Sequence, residues 1–299
     1  MGVCGREIGV KENTIIKGIY IVTKVLSSSK LSIVYIGENI HTGEKVAIKE
    51  FYPVEIAIRD LDDITVINRL PSTKKKFEYL KDNFRNEGAI LQQISHKNII
   101  KYIDHFDENG TTYIILEYFE GHTLDKHIKN YPLSERGRIL ENLFLSLVDT
   151  ITSLHKKGII HRDIKPGNIM VDSDENIRLL DFGSALFYKT DNKKNIFTTP
   201  GFSPLEQYSN EARQGLFTDI YSLGATFYYS LTDVTPVEVS QRLIEDKIID
   251  VRKLNKEIGL IMSKVIMWSL AVQPAKRCFS LKFYLWAISI QKYNKRIKY

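Results

Sequence analysis

Three short stretches hold residue types from which chemistry can be built. The first is LSSSKLSIVYIG (26–37), followed at once by ENIHTGEKVAIKE. It reads as a strand, a turn and a second strand ending on Lys49. A loop ahead of such a lysine often cradles phosphate through main-chain N–H groups. Glycine suits that task because it allows φ > 0 and a close approach of the backbone, yet here serines stand in its place. The second stretch is HRDIKPGN (161–168), and the third is DFG (181–183). Taken singly, each has a plain explanation. A strand lysine is usually just solvated, DFG is a turn after a strand, and a histidine such as His161 is easily mistaken for a base.

The elements around these residues follow from periodicity. YIVTKVL, SIVYIGE and KVAIKEF are short β-branched and aromatic runs, with Thr42-Gly43 turning between the last two. In KVAIKEF, alternation sends Val46 and Ile48 to one face and Ala47 and Lys49 to the other. A helix is predicted around 75–95, where Phe84, Glu87, Ala89, Ile90, Leu91 and Ile94 share a side. IIKYIDHF and TTYIILEYF read as two more strands about the turn Glu108-Asn109-Gly110. After Gly121 the pattern turns helical. Residues 134–158 predict one long helix with Ser134 as N-cap and Gly158 closing it. Further helices are predicted near 218–233, 257–271 and 279–291. A β-rich lobe thus precedes a larger helical lobe, an α+β arrangement, and a cleft between lobes is a common place for a ligand.

Composition narrows the class. The chain has 299 residues, 43% hydrophobic and 26% charged, with 8 prolines, which is globular rather than disordered. The net charge of +6 is spread along the chain, apart from Lys74-Lys75-Lys76 and the run Lys292, Lys295, Arg296 and Lys298. Solvated charged faces explain it better than nucleic acid does. Cys4 and Cys278 match no metal-ligand spacing and fit a reducing, cytoplasmic setting. No apolar run reaches transmembrane length, and MGVCGREIGV has no signal-peptide core. Gly2 and Cys4 suggest an acylated start, but Arg6 stands where a hydroxyl residue belongs.

Taken in order, VAIK (46–49), Glu87, HRDIKPGN, DFG, TPGFSPLE (199–206), TDIYSLG and the arginine of QPAKR resemble the eukaryotic-type (Hanks-type) serine/threonine protein kinases of bacteria. The likeness runs from about residue 18 to 290. It implies a bilobal protein-kinase fold with a small antiparallel sheet lobe and a mainly helical lobe. An N-terminal extension (1–17) would precede a kinase domain (18–290), made of an N-lobe (18–117), a hinge (117–122) and a C-lobe (123–290), with a basic tail (291–299). Such kinases use ATP and Mg²⁺, with Mn²⁺ as an alternative, and act on Ser/Thr hydroxyls of proteins, often their own. The resemblance makes Asp163 the base for the acceptor hydroxyl, Lys165 the group on the transferring phosphate, and Thr199 a contact of Asp163. Asp181 and Asn168 become the metal ligands, and Lys49 the grip on the phosphates, paired with Glu87. The nucleotide would lie among Leu26, Ser27, Ser29, Ser32, Val34, Ala47, Leu116, Glu117, Phe119 and Met170, with main-chain groups of Glu117 and Phe119 on the purine edge. Glu206 would pair with Arg277 although its proline, Pro204, sits one place early. Asp219 would brace the catalytic loop, while His161 and Phe182 would pack. The helical lobe is expected to end near residue 290, so any sensor domain or membrane anchor is absent or lies outside this chain.

Three points depart from the usual pattern or lie beyond it. Ser27, Ser29 and Ser32 occupy the three glycine places of the phosphate loop. If all three needed a left-handed backbone, nucleotide affinity would fall by roughly a hundredfold. A pseudokinase that signals by contact is therefore a competing reading, and a small-molecule kinase is another, which TPGFSPLE and Arg277 oppose. The link from Lys49 to Glu87 is longer than usual and predicts a loose surface insertion. Finally, Arg162 beside Asp163 suggests control by phosphorylation among Ser184, Tyr188, Thr190, Thr198 and Thr199, with Thr190 first and Thr198 second.

Overall fold

The computed structural model describes residues 9–188 and 196–296. Thr190, Gly2 and Cys4 lie outside the described residues. The chain divides into two compact units, one running to Ser95 and including Ile100–Phe119, the other taking His96–Ile99 and the chain from Glu120 onward.

The first unit is built on a six-stranded antiparallel sheet. Its strands are β1 (Ile15–Ile16), β2 (Tyr20–Ser28), β3 (Ser32–Asn39), β4 (Lys45–Phe51), β7 (Tyr102–Glu108) and β8 (Thr111–Glu117), in the order β1-β2-β3-β4-β8-β7. A separate hairpin, β5 (Ala57–Arg59) and β6 (Val66–Asn68), lies between β4 and the helix α1 (Lys74–Gln92). The predicted strands and α1 form where the sequence places them. On one sheet face Ile33, Tyr35, Ile48, Glu50, Tyr113 and Ile115 are all buried. On the other, Val34, Ala47, Lys49 and Leu116 stay half-buried. Phe51 packs against Phe77 and Phe84 of α1 at centroid distances of 5.3 and 5.6 Å.

The loose insertion expected after Lys49 is not what the structure shows. Residues 52–73 are ordered by hydrogen bonds on several sides. Tyr52 N–H donates to Leu31 O at 2.8 Å, Val54 N–H to Lys30 O at 3.1 Å, and Val66 N–H to Asn109 O at 2.8 Å. Asp62 caps the hairpin turn through the N–H groups of Ile64 and Thr65. The cause is a charge beneath it. Glu50 is fully buried, and Arg59 of the hairpin answers it with two N–H donors, at 2.7 and 2.5 Å. A buried carboxylate needs such partners, and the hairpin supplies them.

The second unit is mainly helical. It holds β9 (His122–Thr123), α2 (Leu124–His127), α3 (Leu133–Ile139), α4 (Glu141–Lys156), β10 (Ile159–Ile160), β11 (Ile169–Val171), β12 (Ile177–Leu179) and β13 (Leu186–Phe187). There follow α5 (Leu216–Thr232), α6 (Val239–Arg242), α7 (Val251–Leu254), α8 (Leu260–Ser269) and α9 (Lys282–Arg296). The single helix expected over 134–158 is two. Pro132, not Ser134, is the N-cap of α3, its fixed φ setting the entry. The chain leaves helical geometry at Leu140 (φ −79°, ψ 1°), whose side chain is fully buried. The hydrogen bonds continue on either side, Leu140 N–H to Arg136 O at 3.0 Å and Phe144 N–H to Leu140 O at 2.9 Å, so the two helices meet at a local change of ψ. Phe144 of α4 stacks on Phe227 of α5 at 3.8 Å, and Phe227 meets Tyr284 of α9 edge-on. The apolar α5 therefore forms the axis of this unit.

Candidate active site

In the first unit, antiparallel register sets the residues. Val34 lies opposite Lys49, Ala47 opposite Leu116, and Lys49 opposite Ile114. Cross-strand neighbours share a face, so Val34, Ala47, Lys49 and Leu116 line one side of the sheet. Lys49 Nζ meets both carboxylate oxygens of Glu87 on α1, at 2.7 and 2.9 Å. The glutamate side chain is 2% exposed and the lysine 13%, so this pair is shielded from water in a way surface pairs are not. Glu87 reaches Lys49 because α1 lies close to β7. A Cβ on Gly88 would stand 2.9 Å from His105 Cγ, so only glycine fits that approach. Glu117 N–H donates to Lys101 O at 2.9 Å, and its carboxylate accepts from Lys101 N–H. A purine contact at Glu117 would therefore use its carbonyl. Phe119 is half-buried and Leu26 exposed.

The serine loop answers the question its composition raises. No residue from Ser27 to Ser32 has a positive φ. Ser27 pairs with Val34 after a bulge, and the chain turns over Ser29–Leu31. Ser29 N–H donates to Ser32 O at 2.8 Å, and Ser29 Oγ accepts from the N–H groups of Ser32 (3.0 Å) and Leu31 (3.3 Å). A hydroxyl that caps its own turn is what serine offers in place of glycine's freedom. The left-handed penalty does not arise in this conformation.

In the second unit, Asp163 is the hub. Thr199 Oγ donates to Asp163 Oδ1 at 2.9 Å. Lys165 Nζ lies 2.8 Å from Asp163 Oδ2 and 3.1 Å from Thr199 Oγ. Asn168 Nδ2 donates to Oδ2 and to the main-chain carbonyl of Asp163, each at 2.8 Å. With Nδ2 so engaged, Asn168 Oδ1 is the amide atom left to face a cation. Leu180 N–H donates to Asn168 O at 2.8 Å, which ties the residue before Asp181 to the main chain of Asn168. Asp181 itself has φ 58°, and Gly183 N–H approaches its Oδ1 at 3.4 Å. An amide oxygen and a carboxylate suit a hard divalent cation that completes its shell with phosphate and water, so this donor set fits Mg²⁺. Among the described residues no three His, Cys, Asp or Glu side chains gather as a metal cage. Met170 pairs with Thr123 and Arg178 in a three-stranded sheet and is half-buried.

The loop is held from beneath. Asp219 of α5 accepts from His161 N–H (2.9 Å), Arg162 N–H (2.8 Å) and His155 Nε2 (2.9 Å). Burial would push its carboxyl up, but these donors hold it below the usual carboxylate range. They also fix Arg162 at φ 69°, a conformation that costs about 1 kcal/mol and persists only where its surroundings over-determine it. Burial pushes the Arg162 guanidinium down to about 10, and it donates to Ser184 O at 3.1 Å. His161 packs edge-on against Phe182 at 4.7 Å. Arg277 meets Glu206 at 2.7 and 3.3 Å, both fully or almost fully buried, although Pro204 sits one place early. Thr198 is exposed. Three supporting residues were not foreseen. His155 serves Asp219, Ser203 Oγ accepts from Thr199 N–H at 2.9 Å, and Gln207 Nε2 donates to Arg162 O at 2.7 Å. They lie within or beside the motif stretches, which is the one signal that pointed toward them.

Comparison with known proteins points to one family. The protein kinase domain family matches residues 20–283. A probable serine/threonine-protein kinase of Clostridium acetobutylicum is 33% identical over 230 residues, 71% of this chain and 34% of that protein. Serine/threonine-protein kinase PrkC of Bacillus subtilis is 28% identical over 281 residues, 88% of this chain and 39% of that protein. The chain thus spans about a third of the length of the curated relatives it matches. Among solved structures, the apo form of PpkA-294 superposes with a TM-score of 0.82 at 25% identity, covering 94% of this chain and all of that one. With two units of sheet and helix in the bilobal kinase pattern, the chain belongs to the protein kinase family, in its Hanks-type serine/threonine branch.

Proposed function

We propose that this chain transfers the γ-phosphoryl group of ATP to serine and threonine hydroxyls of proteins, its own included. The observation that carries the reading is the Asp163 cluster. Thr199 fixes the carboxylate from one oxygen, while Lys165 and Asn168 hold the other. Oδ1 keeps a lone pair beyond the one Thr199 uses, so it can accept the hydroxyl proton of an acceptor side chain. Lys165 already bridges Asp163 and Thr199, and a short swing of its flexible stem would bring its charge to a phosphate. Asn168 Oδ1 and Asp181 would hold Mg²⁺, which when bound neutralises phosphate charge. Lys49, anchored by Glu87, would grip the phosphates. The half-buried face of Val34, Ala47 and Leu116, with Leu26, Ser27, Ser29, Ser32, Glu117, Phe119 and Met170, would take the nucleotide.

The kinase domain is placed at 18–290, which the family match over 20–283 supports. No helix among the described residues is long and apolar enough to cross a membrane, and we place the protein in the cytoplasm on its cysteine usage. Thr190 is the first candidate for autophosphorylation. The test of substrate class is phosphoamino-acid analysis of a generic acceptor protein after incubation with Mg²⁺ and ATP, beside an aminoglycoside and choline. Phosphoserine and phosphothreonine are expected. Phosphotyrosine, or phosphate on the small molecules alone, would overturn the assignment.

A further inference from the structure

The segment 52–73 touches the serine loop through its backbone, and one buried charge network holds it there. Tyr52 and Val54 donate to the carbonyls of Leu31 and Lys30, the two residues at the tip of the loop. The strand that leads into the segment alternates its tasks. Lys49 reaches Glu87, Glu50 points to the opposite, buried face, and Phe51 packs on α1. On the buried face Glu50 accepts from Arg59, from Tyr35 Oη at 2.5 Å and from Tyr113 Oη at 3.2 Å. Arg59 also donates to Tyr35 Oη (3.1 Å) and to Ile64 O (2.7 Å), and its guanidinium lies 4.9 Å from the Tyr52 ring centre. The donors Tyr35, Tyr113 and Arg59 belong to β3, to β8 and to the hairpin, and Arg59 joins the hairpin to the sheet through its charge.

We propose that residues 52–73 form a built-in brace for the Ser27–Ser32 loop, and that Arg59 is a positioning residue for nucleotide, acting through Glu50 and the main-chain contacts at Lys30 and Leu31. The proposal rests on reading that loop as the phosphate loop. A glycine loop is free to adapt around phosphate, whereas a serine loop with a self-capped turn has fewer conformations open to it. Holding its two tip carbonyls from outside keeps the N–H groups of the turn in one arrangement before nucleotide arrives. Preorganisation of this kind raises affinity by reducing the ordering that binding requires.

Three variants separate the brace from simple stability. Arg59→Ala removes the clamp, and Arg59→Lys keeps the charge without the two-pronged geometry. Val54→Pro removes the single N–H that reaches Lys30 O. Val54 is the second residue of the turn Pro53–Ile56, a position that favours proline, so the turn itself should survive. Hydrogen exchange of the full chain without nucleotide should show faster exchange at residues 27–33 in Arg59→Ala and in Val54→Pro, with α4 and α5 unchanged. In Mg²⁺–ATP kinetics, KM for ATP should rise about fivefold or more while kcat changes less than about twofold, with Arg59→Lys in between. A structural role alone would lower the active fraction, hence kcat, and leave KM as it was. Unchanged exchange at 27–33 in folded Val54→Pro, or a wild-type KM, overturns the brace. If Arg59→Ala does not fold, Val54→Pro decides. A wild-type chain that binds no ATP ends the reading of the loop instead, and exchange, which needs no nucleotide, still decides whether the segment holds it.

Discussion

Thr199 and Asp163 show how much one hydroxyl can do. The 2.9 Å bond from Thr199 Oγ fixes the carboxylate rotamer from the side opposite Lys165 and Asn168. A hydrogen bond to a charged group contributes about 1.5–3 kcal/mol, so Thr199→Ala should lower kcat by roughly 10- to 100-fold. KM for ATP should stay near the wild-type value, since no nucleotide contact is assigned to this residue. Steady-state kinetics at saturating acceptor checks both. The serine loop gives a second prediction. With no positive φ between Ser27 and Ser32, glycine there relieves no strain. The triple change to glycine should leave KM for ATP within about threefold or weaken binding, because Ser29 loses its turn-capping hydroxyl. A tenfold tightening would show that the serines do impose a left-handed penalty. The cluster of Asp163, Lys165 and Asn168 was legible in the sequence because its spacing is short and fixed. His155 and Gln207 were not, since their partners lie 64 and 45 positions away and only folding brings them together.

At the scale of elements, the seating of α1 decides whether Lys49 meets Glu87. Gly88→Ala places a methyl 2.9 Å from His105 Cγ and 3.1 Å from its Cβ, atoms near the backbone that cannot swing aside. The helix must shift, at a cost of about 1–3 kcal/mol in chemical denaturation. The ion pair should loosen with it, so kcat should fall more than stability alone explains. Strands β2, β3, β4 and β8 were readable from alternating β-branched and aromatic residues. The hairpin turn before β8 was readable from Asn109-Gly110, both of which adopt left-handed φ, 50° and 71°. The break at Leu140 was invisible because apolar spacing continues across it. The hairpin β5–β6 was invisible for another reason. It has three residues per strand, and it is held by one arginine meeting a carboxylate that alternation sets on the face of Val46 and Ile48 but whose charge alone gave no reason to expect burial. Charged residues in a strand read as surface, and Glu50 is the exception that its partners make possible.

For the whole molecule, two buried charges set how the second unit answers to acid and to mutation. The folded Asp219 carboxyl titrates below its unfolded value, so its contribution is complete above about pH 4 and is lost as pH falls through the lower folded value. Thermal melts of wild type and Asp219→Asn should differ most at neutral pH and converge below about pH 4. A difference that persists unchanged to low pH would show that the carboxylate charge is not what stabilises the fold there. Arg277→Ala leaves Glu206 buried without its cation, and should cost about 3–5 kcal/mol in denaturant unfolding. Whether ATP turns over with Asp163 at the centre of the proposed site, serine loop included, is read most directly from the intact mass of the purified protein after incubation with Mg²⁺ and ATP, beside Asp163→Asn. Mass added in steps of one phosphate to the wild type and none to the variant is expected. No gain by the wild type at millimolar ATP, even with a generic acceptor present, or an equal gain by Asp163→Asn, would contradict it.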